Sequence, residues 1–166
     1  MNATLLAISP GALEDEDALA FLAPASRARG AGLAAILVRE PRLSDRAYLH
    51  LCERLRAIYD GGLLFVHDRP HLAAAVDADG VHLSWRGLPA DVARAQLPSG
   101  MLVATSAHAG DDPAIHAASD HVLLGPVRPT PSKVGWKEPL GFDGLRRELA
   151  RVGRPAWAVG GLRPQD

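Results

Sequence analysis

Seven short and continuously apolar runs constrain the fold of this chain more than any other feature. They are rich in Val, Ile, Leu and Ala, and each is too short to be an ordinary helix. Such runs are typical of strands buried on both faces, as in a parallel sheet. In chain order the runs are TLLAIS, GLAAILVRE, GLLFVHD, GVHLSW, MLVATSAH, HVLLGPV and PAWAVGGL.

Six segments with helical character separate these runs. The clearest is LSDRAYLHLCERLRAIYDGG, where Ser44 is a candidate N-cap, Gly61 is a stop, and apolar residues recur at helical spacing. In EDEDALAFLAPASRARGAG, Pro24 should kink or interrupt the helix. The alternation of strands and helices is typical of two architectures, an open doubly wound sheet and a (β/α)₈ barrel. The other helical segments are PHLAAAVDADG, PADVARAQL, DDPAIHAASD and FDGLRRELARVG.

Composition limits the class of protein and its partners. With 166 residues, 48% of them hydrophobic, we expect one domain across residues 1–166. The net charge of −1 gives no reason to expect nucleic acid or an anionic membrane as the main partner. A single cysteine, Cys52, excludes a disulfide framework and a CxxC metal site, and it favours a cytoplasmic setting. We expect neither a signal peptide nor a membrane span.

Polar residues follow nearly every run, and in both architectures function lies at the carboxyl ends of the strands. Arg39 and Lys133 supply positive charge, whereas Thr130 and Ser132 supply small donors for phosphate oxygens. The pair Gly160 and Gly161 lets backbone N–H groups approach an anion. This set predicts a phosphorylated small-molecule ligand. The other polar residues in or after the runs are Glu40, His67, Asp68, Arg69, His82, Ser84, Ser106 and His108.

The order of motifs VRE, DR, ADGVHL, SAH, GPVRPTPSK and GG resembles the thiamine phosphate synthase and thiazole tautomerase superfamily, from the first run almost to the last residue. Members are (β/α)₈ barrels, so the resemblance implies that fold. It also implies a transferase of thiamine biosynthesis that joins hydroxymethylpyrimidine pyrophosphate to thiazole phosphate with the help of Mg²⁺.

The resemblance also implies roles for individual residues. Arg39, Lys133 and Ser106 would contact pyrophosphate, and Asp68 would be a Mg²⁺ ligand. His67 stands where an asparagine is usual and could act as a general base or bind a ring. Substrate-binding roles fall to Thr130 and Ser132 for the thiazole phosphate, to Gly160 and Gly161 for a backbone phosphate site, and to His108.

Four substitutions depart from the family pattern. Leu37 and Pro41 replace a pyrimidine-binding amide and a pyrophosphate-binding lysine, His67 replaces the asparagine, and Gly87 stands where a second metal-binding aspartate is expected. With one carboxylate left, Mg²⁺ affinity should fall. Two alternatives to the synthase therefore stay open. One is a thiazole tautomerase-like isomerase, and the other is a non-catalytic thiazole-phosphate-binding or regulatory domain of the kind fused to Nudix hydrolases.

The end of the sequence and the remaining aromatic residues give further expectations. The chain ends at GGLRPQD, where a barrel of this family would enter its seventh helix. We expect a barrel that is truncated before its eighth strand and so lacks the last helix-strand unit. We expect it to be completed after Asp166 by missing chain or by a partner chain. We expect His82 to be a buried barrel residue, and a metal site shared with His67 and His108 is the less favoured interpretation. Trp85 should fill space, with ring stacking as the alternative, and solvated positions are expected for His50, His71, His116 and His121.

Overall fold

The computed structural model describes residues 5–130, 137–163 and 166. Within them, each predicted apolar run contains a strand. The strands are β1 (Leu6–Ile8), β2 (Ala35–Val38), β3 (Leu63–His67), β4 (Gly80–Leu83), β5 (Leu102–Ala107), β6 (His121–Leu124) and β7 (Ala156–Ala158). β2 and β4 are buried along their whole length, as expected of strands covered on both faces.

The chain divides into two compact units. The first comprises Met1–His82 and Leu97–Met101, and the second comprises Leu83–Gln96 and Leu102–Asp166. In the first unit, β1 to β4 pair in parallel and in chain order. In the second unit, β5, β6 and β7 do the same. Parallel pairing in chain order, with a helical segment between successive strands, is the connectivity predicted for a (β/α)₈ barrel. The single domain over residues 1–166 stays a prediction.

The predicted crossover helix after β2 is α2 (Asp45–Ile58). Ser44 caps it as predicted, because its hydroxyl accepts a hydrogen bond from Ala47 N at 3.2 Å. The helix ends at Ile58, before Gly61, whose φ of +78° suits the turn at that point. Its inner face is mainly apolar, and Tyr48, Leu51, Cys52 and Leu55 are buried. The Tyr48 hydroxyl donates to the Val38 carbonyl and accepts from His67 N.

The other helices are shorter or interrupted. The acidic segment forms a 3₁₀ helix, Asp15–Phe21, followed by α1 (Leu22–Gly30). Pro24 lies in the first turn of α1. The N–H groups of a first turn have no partner within the helix, so the N–H that proline lacks costs the helix no hydrogen bond. After β5 the chain makes only one 3₁₀ turn, Pro113–His116. The remaining helices are α3 (Pro70–Ala73), α4 (Ala90–Gln96) and α5 (Gly141–Val152).

α5 anchors the core of the second unit. Val152 packs with Ala107, Val122 and Leu124 in one buried cluster. The helix ends at Gly153, whose φ of +63° is the left-handed conformation that commonly terminates helices. Among the described residues, no helix combines the length and the apolar character that a membrane crossing requires.

Candidate functional site

The loop after β2 holds Arg39 in place through its neighbours. Arg39 N donates a hydrogen bond to Ser9 Oγ at 2.8 Å. Gly11 lies against the guanidinium, because a Cβ there would be 2.8 Å from Arg39 Nη1, and its φ of +80° favours glycine. The Arg39 side chain is exposed at the end of its strand, as the prediction requires of a group that binds an anion.

Glu40 has a structural role. Its buried carboxylate accepts hydrogen bonds from Gly11 N at 2.8 Å and from Leu13 N at 2.9 Å. A buried carboxylate that accepts hydrogen bonds from two backbone N–H groups stabilises the loop that donates them. Glu40 therefore ties the loop after β1 to the end of β2, next to Arg39.

His67 and Asp68 lie together at the end of β3. The His67 and His82 rings stack with centroids 5.2 Å apart, and His67 Nδ1 lies 3.5 Å from Asp68 Oδ2. Burial lowers the pKa of His67; Asp68 opposes this shift, and Arg39 and Arg69 add to it. The imidazole is therefore neutral near pH 7, which suits the predicted roles of general base or ring contact.

The strand-end residues next to this pair have structural roles. His82 is buried, as predicted. The Arg69 guanidinium lies 4.4 Å from the centre of the Tyr48 ring and bonds Asp45 Oδ1 at 3.0 Å and the Leu43 carbonyl at 2.6 Å. Arg69 therefore anchors the start of α2 and is committed to that contact.

Asp68 is the one predicted metal ligand. It adopts φ of +50°, which is rare for a residue other than glycine, and its backbone N–H bonds the His82 carbonyl at 3.0 Å. In the part of the chain that the structure describes, no group of three His, Cys, Asp or Glu residues is placed to hold a metal ion. The residues fit Mg²⁺ only as one carboxylate that completes its shell with water and substrate oxygens.

Ser106 and His108, at the end of β5, line a cavity of about 770 Å³ within the second unit. His108 is buried, and Asp111 Oδ2 accepts a hydrogen bond from its backbone N–H at 2.8 Å. The same carboxylate oxygen lies 3.3 Å from His108 Nδ1. Asp111, which sequence reasoning missed, therefore fixes both the backbone and the ring of His108.

The expectation of a solvated His116 is wrong. The residue is 1% exposed, and its Nδ1 lies 2.9 Å from Thr105 Oγ1. The hydroxyl of Ser119 lies 2.9 Å from the same Thr105 oxygen. Because the 3₁₀ turn after β5 is so short, His116 lies directly over the strand, and only the shortness of the segment DDPAIH could have signalled this.

Two other aromatic expectations also need correction, whereas two histidine predictions hold. His121 is half-buried and stacks on Trp157, with centroids 5.1 Å apart. Trp85 does not fill internal space, because it is 64% exposed at the wall of the cavity in the second unit. The side chains of His50 and His71 are exposed, as predicted.

The loop after β6 and the glycine pair after β7 are joined by main-chain hydrogen bonds. Val127 N donates to the Val159 carbonyl and Arg128 N to the Gly160 carbonyl, each at 2.9 Å. A Cβ on Gly160 would lie 2.8 Å from Pro126 Cα. These contacts bring the loop that carries Thr130 against the glycine pair.

Gly161 makes a similarly close approach, because a Cβ there would lie 2.5 Å from the Pro129 carbonyl oxygen. Only glycine fits such positions, which also have positive φ. Thr130 itself is half-buried. Ser132 and Lys133 lie outside the described residues, so their predicted roles remain predictions.

Comparison with known proteins supports the resemblance seen in the sequence. The family model described as thiamine monophosphate synthase matches residues 5–166. A relative from Geobacter sulfurreducens is 38% identical over 147 residues, which are 86% of this chain and 69% of that protein. The thiamine-phosphate synthase of Archaeoglobus fulgidus is 37% identical over 145 residues, 86% of this chain and 68% of that protein.

A solved structure gives the same answer for the fold. Thiamine phosphate pyrophosphorylase from Pyrococcus furiosus superposes with a TM-score of 0.78 at 28% identity, covering 96% of this chain and 76% of that chain. The predicted (β/α)₈ fold class is confirmed. The relatives named here are synthases, so the comparisons do not favour the tautomerase alternative.

Proposed function

The chain belongs to the thiamine monophosphate synthase family, and from that membership we propose that it joins hydroxymethylpyrimidine pyrophosphate to thiazole phosphate. In this reaction the thiazole nitrogen attacks the pyrimidine methylene and forms a carbon–nitrogen bond. The carbon–oxygen bond to pyrophosphate breaks, and pyrophosphate leaves with the electron pair. The protein has to bind two phosphorylated substrates and stabilise a departing anion.

The first unit supplies charge and a neutral ring for this reaction. We assign the exposed Arg39 guanidinium to pyrophosphate oxygens, where a planar cation can make two parallel hydrogen bonds. His67, kept neutral by burial, is assigned to the pyrimidine ring or to a proton transfer. Asp68 is the carboxylate that would hold Mg²⁺, and when bound the ion would neutralise charge on pyrophosphate.

The second unit supplies the phosphate site. The observation that carries the proposal is the packing of Gly160 and Gly161 against the loop that leads to Thr130. A backbone that no side chain can crowd is suited to bind phosphate through N–H groups. We assign Thr130 and Ser132 to the thiazole phosphate and Lys133 and Ser106 to pyrophosphate, and Pro41 and Gly87 remain unexplained departures.

The finer predictions about partners and setting are also part of the proposal. A homo-oligomer, or fusion to a Nudix domain, is the predicted assembly. Family membership supports the predicted cytoplasmic setting of a biosynthetic enzyme. Purification from the native host, followed by mass spectrometry of the intact protein and measurement of its mass in solution, tests the fusion and the oligomeric state, and cell fractionation tests the cytoplasmic setting.

The reaction is tested by incubating the protein with both substrates and Mg²⁺ and measuring thiamine phosphate by chromatography. We expect product, and we expect Arg39→Ala and Lys133→Ala each to lower turnover by about 100-fold or more. Arg42→Ala is the matched control, because Arg42 is exposed and pairs with Glu14 at 2.8 Å. Absence of product, together with thermal stabilisation by thiazole phosphate alone, would support the non-catalytic binding domain instead.

A further inference from the structure

Tyr48, on the inner face of α2, reaches the carboxyl ends of two neighbouring strands. The residue is 1% exposed. Its hydroxyl donates a hydrogen bond to the carbonyl of Val38, the last residue of β2. The same hydroxyl accepts a hydrogen bond, at 3.0 Å, from the backbone N–H of His67, the last residue of β3. One oxygen atom therefore joins the two strand ends where the chain leaves the sheet.

The residues that follow these two strands are those assigned to pyrophosphate and Mg²⁺. Arg39 is the first residue after β2, and Asp68 is the first after β3. Each is held on the side away from the other strand, because Arg39 N donates to Ser9 Oγ at 2.8 Å and Asp68 N to the His82 carbonyl at 3.0 Å. In strand order the Tyr48 contact comes between these two, so it controls the spacing of Arg39 and Asp68.

The surroundings of the Tyr48 ring hold the hydroxyl in place and keep it neutral. The guanidinium of Arg69 lies 4.4 Å from the ring centre and donates to the Leu43 carbonyl at 2.6 Å. Burial raises the pKa of Tyr48 well above its ordinary value, so the hydroxyl keeps its proton. A neutral hydroxyl can donate one hydrogen bond while it accepts another, which is what the two strand ends require.

We propose that Tyr48 is a positioning residue of the transferase reaction, whose hydroxyl sets the separation between Arg39 on one strand and His67 and Asp68 on the other. The inference rests on the proposed function, because it concerns the groups assigned to pyrophosphate. Without the hydroxyl, the Val38 carbonyl and the His67 N–H each lose one hydrogen-bond partner, and the two strand ends shift to replace it. A cation and a carboxylate that act on one pyrophosphate need a fixed spacing, and a small displacement of such groups lowers the rate sharply.

The same helix offers a matched control. Tyr59 directly follows α2 and is 2% exposed, and its hydroxyl donates to the carbonyl of Leu33, ahead of β2. Tyr48→Phe and Tyr59→Phe therefore remove the same atom at opposite ends of β2. Both replacements keep a buried aromatic ring, so both variants should fold, and circular dichroism checks this.

Steady-state kinetics with both substrates and Mg²⁺ compare the two variants. We expect Tyr48→Phe to lower kcat/KM for hydroxymethylpyrimidine pyrophosphate by about tenfold or more and to leave the KM for thiazole phosphate within about twofold of the unchanged value. Tyr59→Phe should leave both constants within about twofold. Equal effects of the two replacements, or a loss in Tyr48→Phe that falls equally on both substrates, would overturn the inference.

Calorimetric titration with inorganic pyrophosphate and Mg²⁺ separates this inference from the proposed reaction. If the unchanged protein makes no thiamine phosphate, the proposed reaction fails, whereas the spacing of Arg39 and Asp68 still governs how pyrophosphate binds. We expect binding about tenfold weaker in Tyr48→Phe and unchanged in Tyr59→Phe. Similar affinities in all three proteins, or no binding by the unchanged protein, would mean that the role assigned to Tyr48 is wrong.

Discussion

Two segments that come after buried strands differ sharply in how they cover the sheet. After β2, α2 runs for 14 residues and covers the strand with a mainly apolar face. After β5, the chain makes a 3₁₀ turn of only four residues before it returns to β6. Under the long helix the buried side chains pack closely, and the Tyr48 hydroxyl is paired with the Val38 carbonyl and with His67 N. Where the cover is one turn, the hydrogen-bonded side chains of Thr105, His116 and Ser119 lie beside a cavity.

Cys52 is an example of a side chain buried under the long helix α2. It lies fully buried on the inner face of α2, and burial raises the pKa of its thiol to about 12. A thiol that remains protonated is a poor nucleophile, so Cys52 acts as a small hydrophobic side chain. His116, equally buried after β5, instead has polar partners and borders open space.

Truncation of one apolar side chain in each segment should give the largest difference in unfolding free energy between the two segments. Leu55→Ala removes a fully buried side chain from α2, and we expect a loss of about 2–5 kcal/mol in the free energy of unfolding. Ile115→Ala, in the 3₁₀ turn, should change it by less than about 0.5 kcal/mol, because Ile115 is 62% exposed. Urea denaturation followed by circular dichroism measures both values. Similar losses would mean that the 3₁₀ turn covers its strand as well as α2 does.

Removal of a capping side chain should also cost α2 more unfolding free energy than the 3₁₀ turn, by a smaller amount. Ser44→Ala removes the hydroxyl that accepts from Ala47 N and should cost about 1 kcal/mol of unfolding free energy. Asp112→Ala removes a similar bond from Ala114 N, at 2.9 Å, but it caps a single turn with little packed surface. We expect its cost to be smaller, and the same denaturation measurement decides. A larger cost for Asp112→Ala would contradict the view that the turn is a weak cover.

Sequence reasoning located the strands and the long helix because their signals are local. Apolar runs define β1 to β7, and Ser44 with its helical spacing defines α2. The glycine pair and the loop after β6 were also visible as motifs. The partnership of Thr105, His116 and Ser119 was not, because it depends on how far one 3₁₀ turn carries the chain over a strand. Side chains brought together by a short connection leave no periodic signal in the sequence.

The pH dependence of stability should show the smallest effect, and it concerns His116. Its pKa is lowered by burial in the folded state, so the unfolded chain binds more protons between that lowered pKa and the ordinary value near 6.5. Stability should therefore fall as the pH drops through 6.5 and be fully kept above it. In His116→Gln this contribution disappears, so the loss of unfolding free energy between pH 7.5 and 5.5 should be smaller than in the unchanged protein.

His50→Gln, at an exposed position, should leave the pH dependence as it is. Urea titrations at the two pH values measure the difference, and an identical loss in His116→Gln would show that His116 is not held neutral by the short cover after β5.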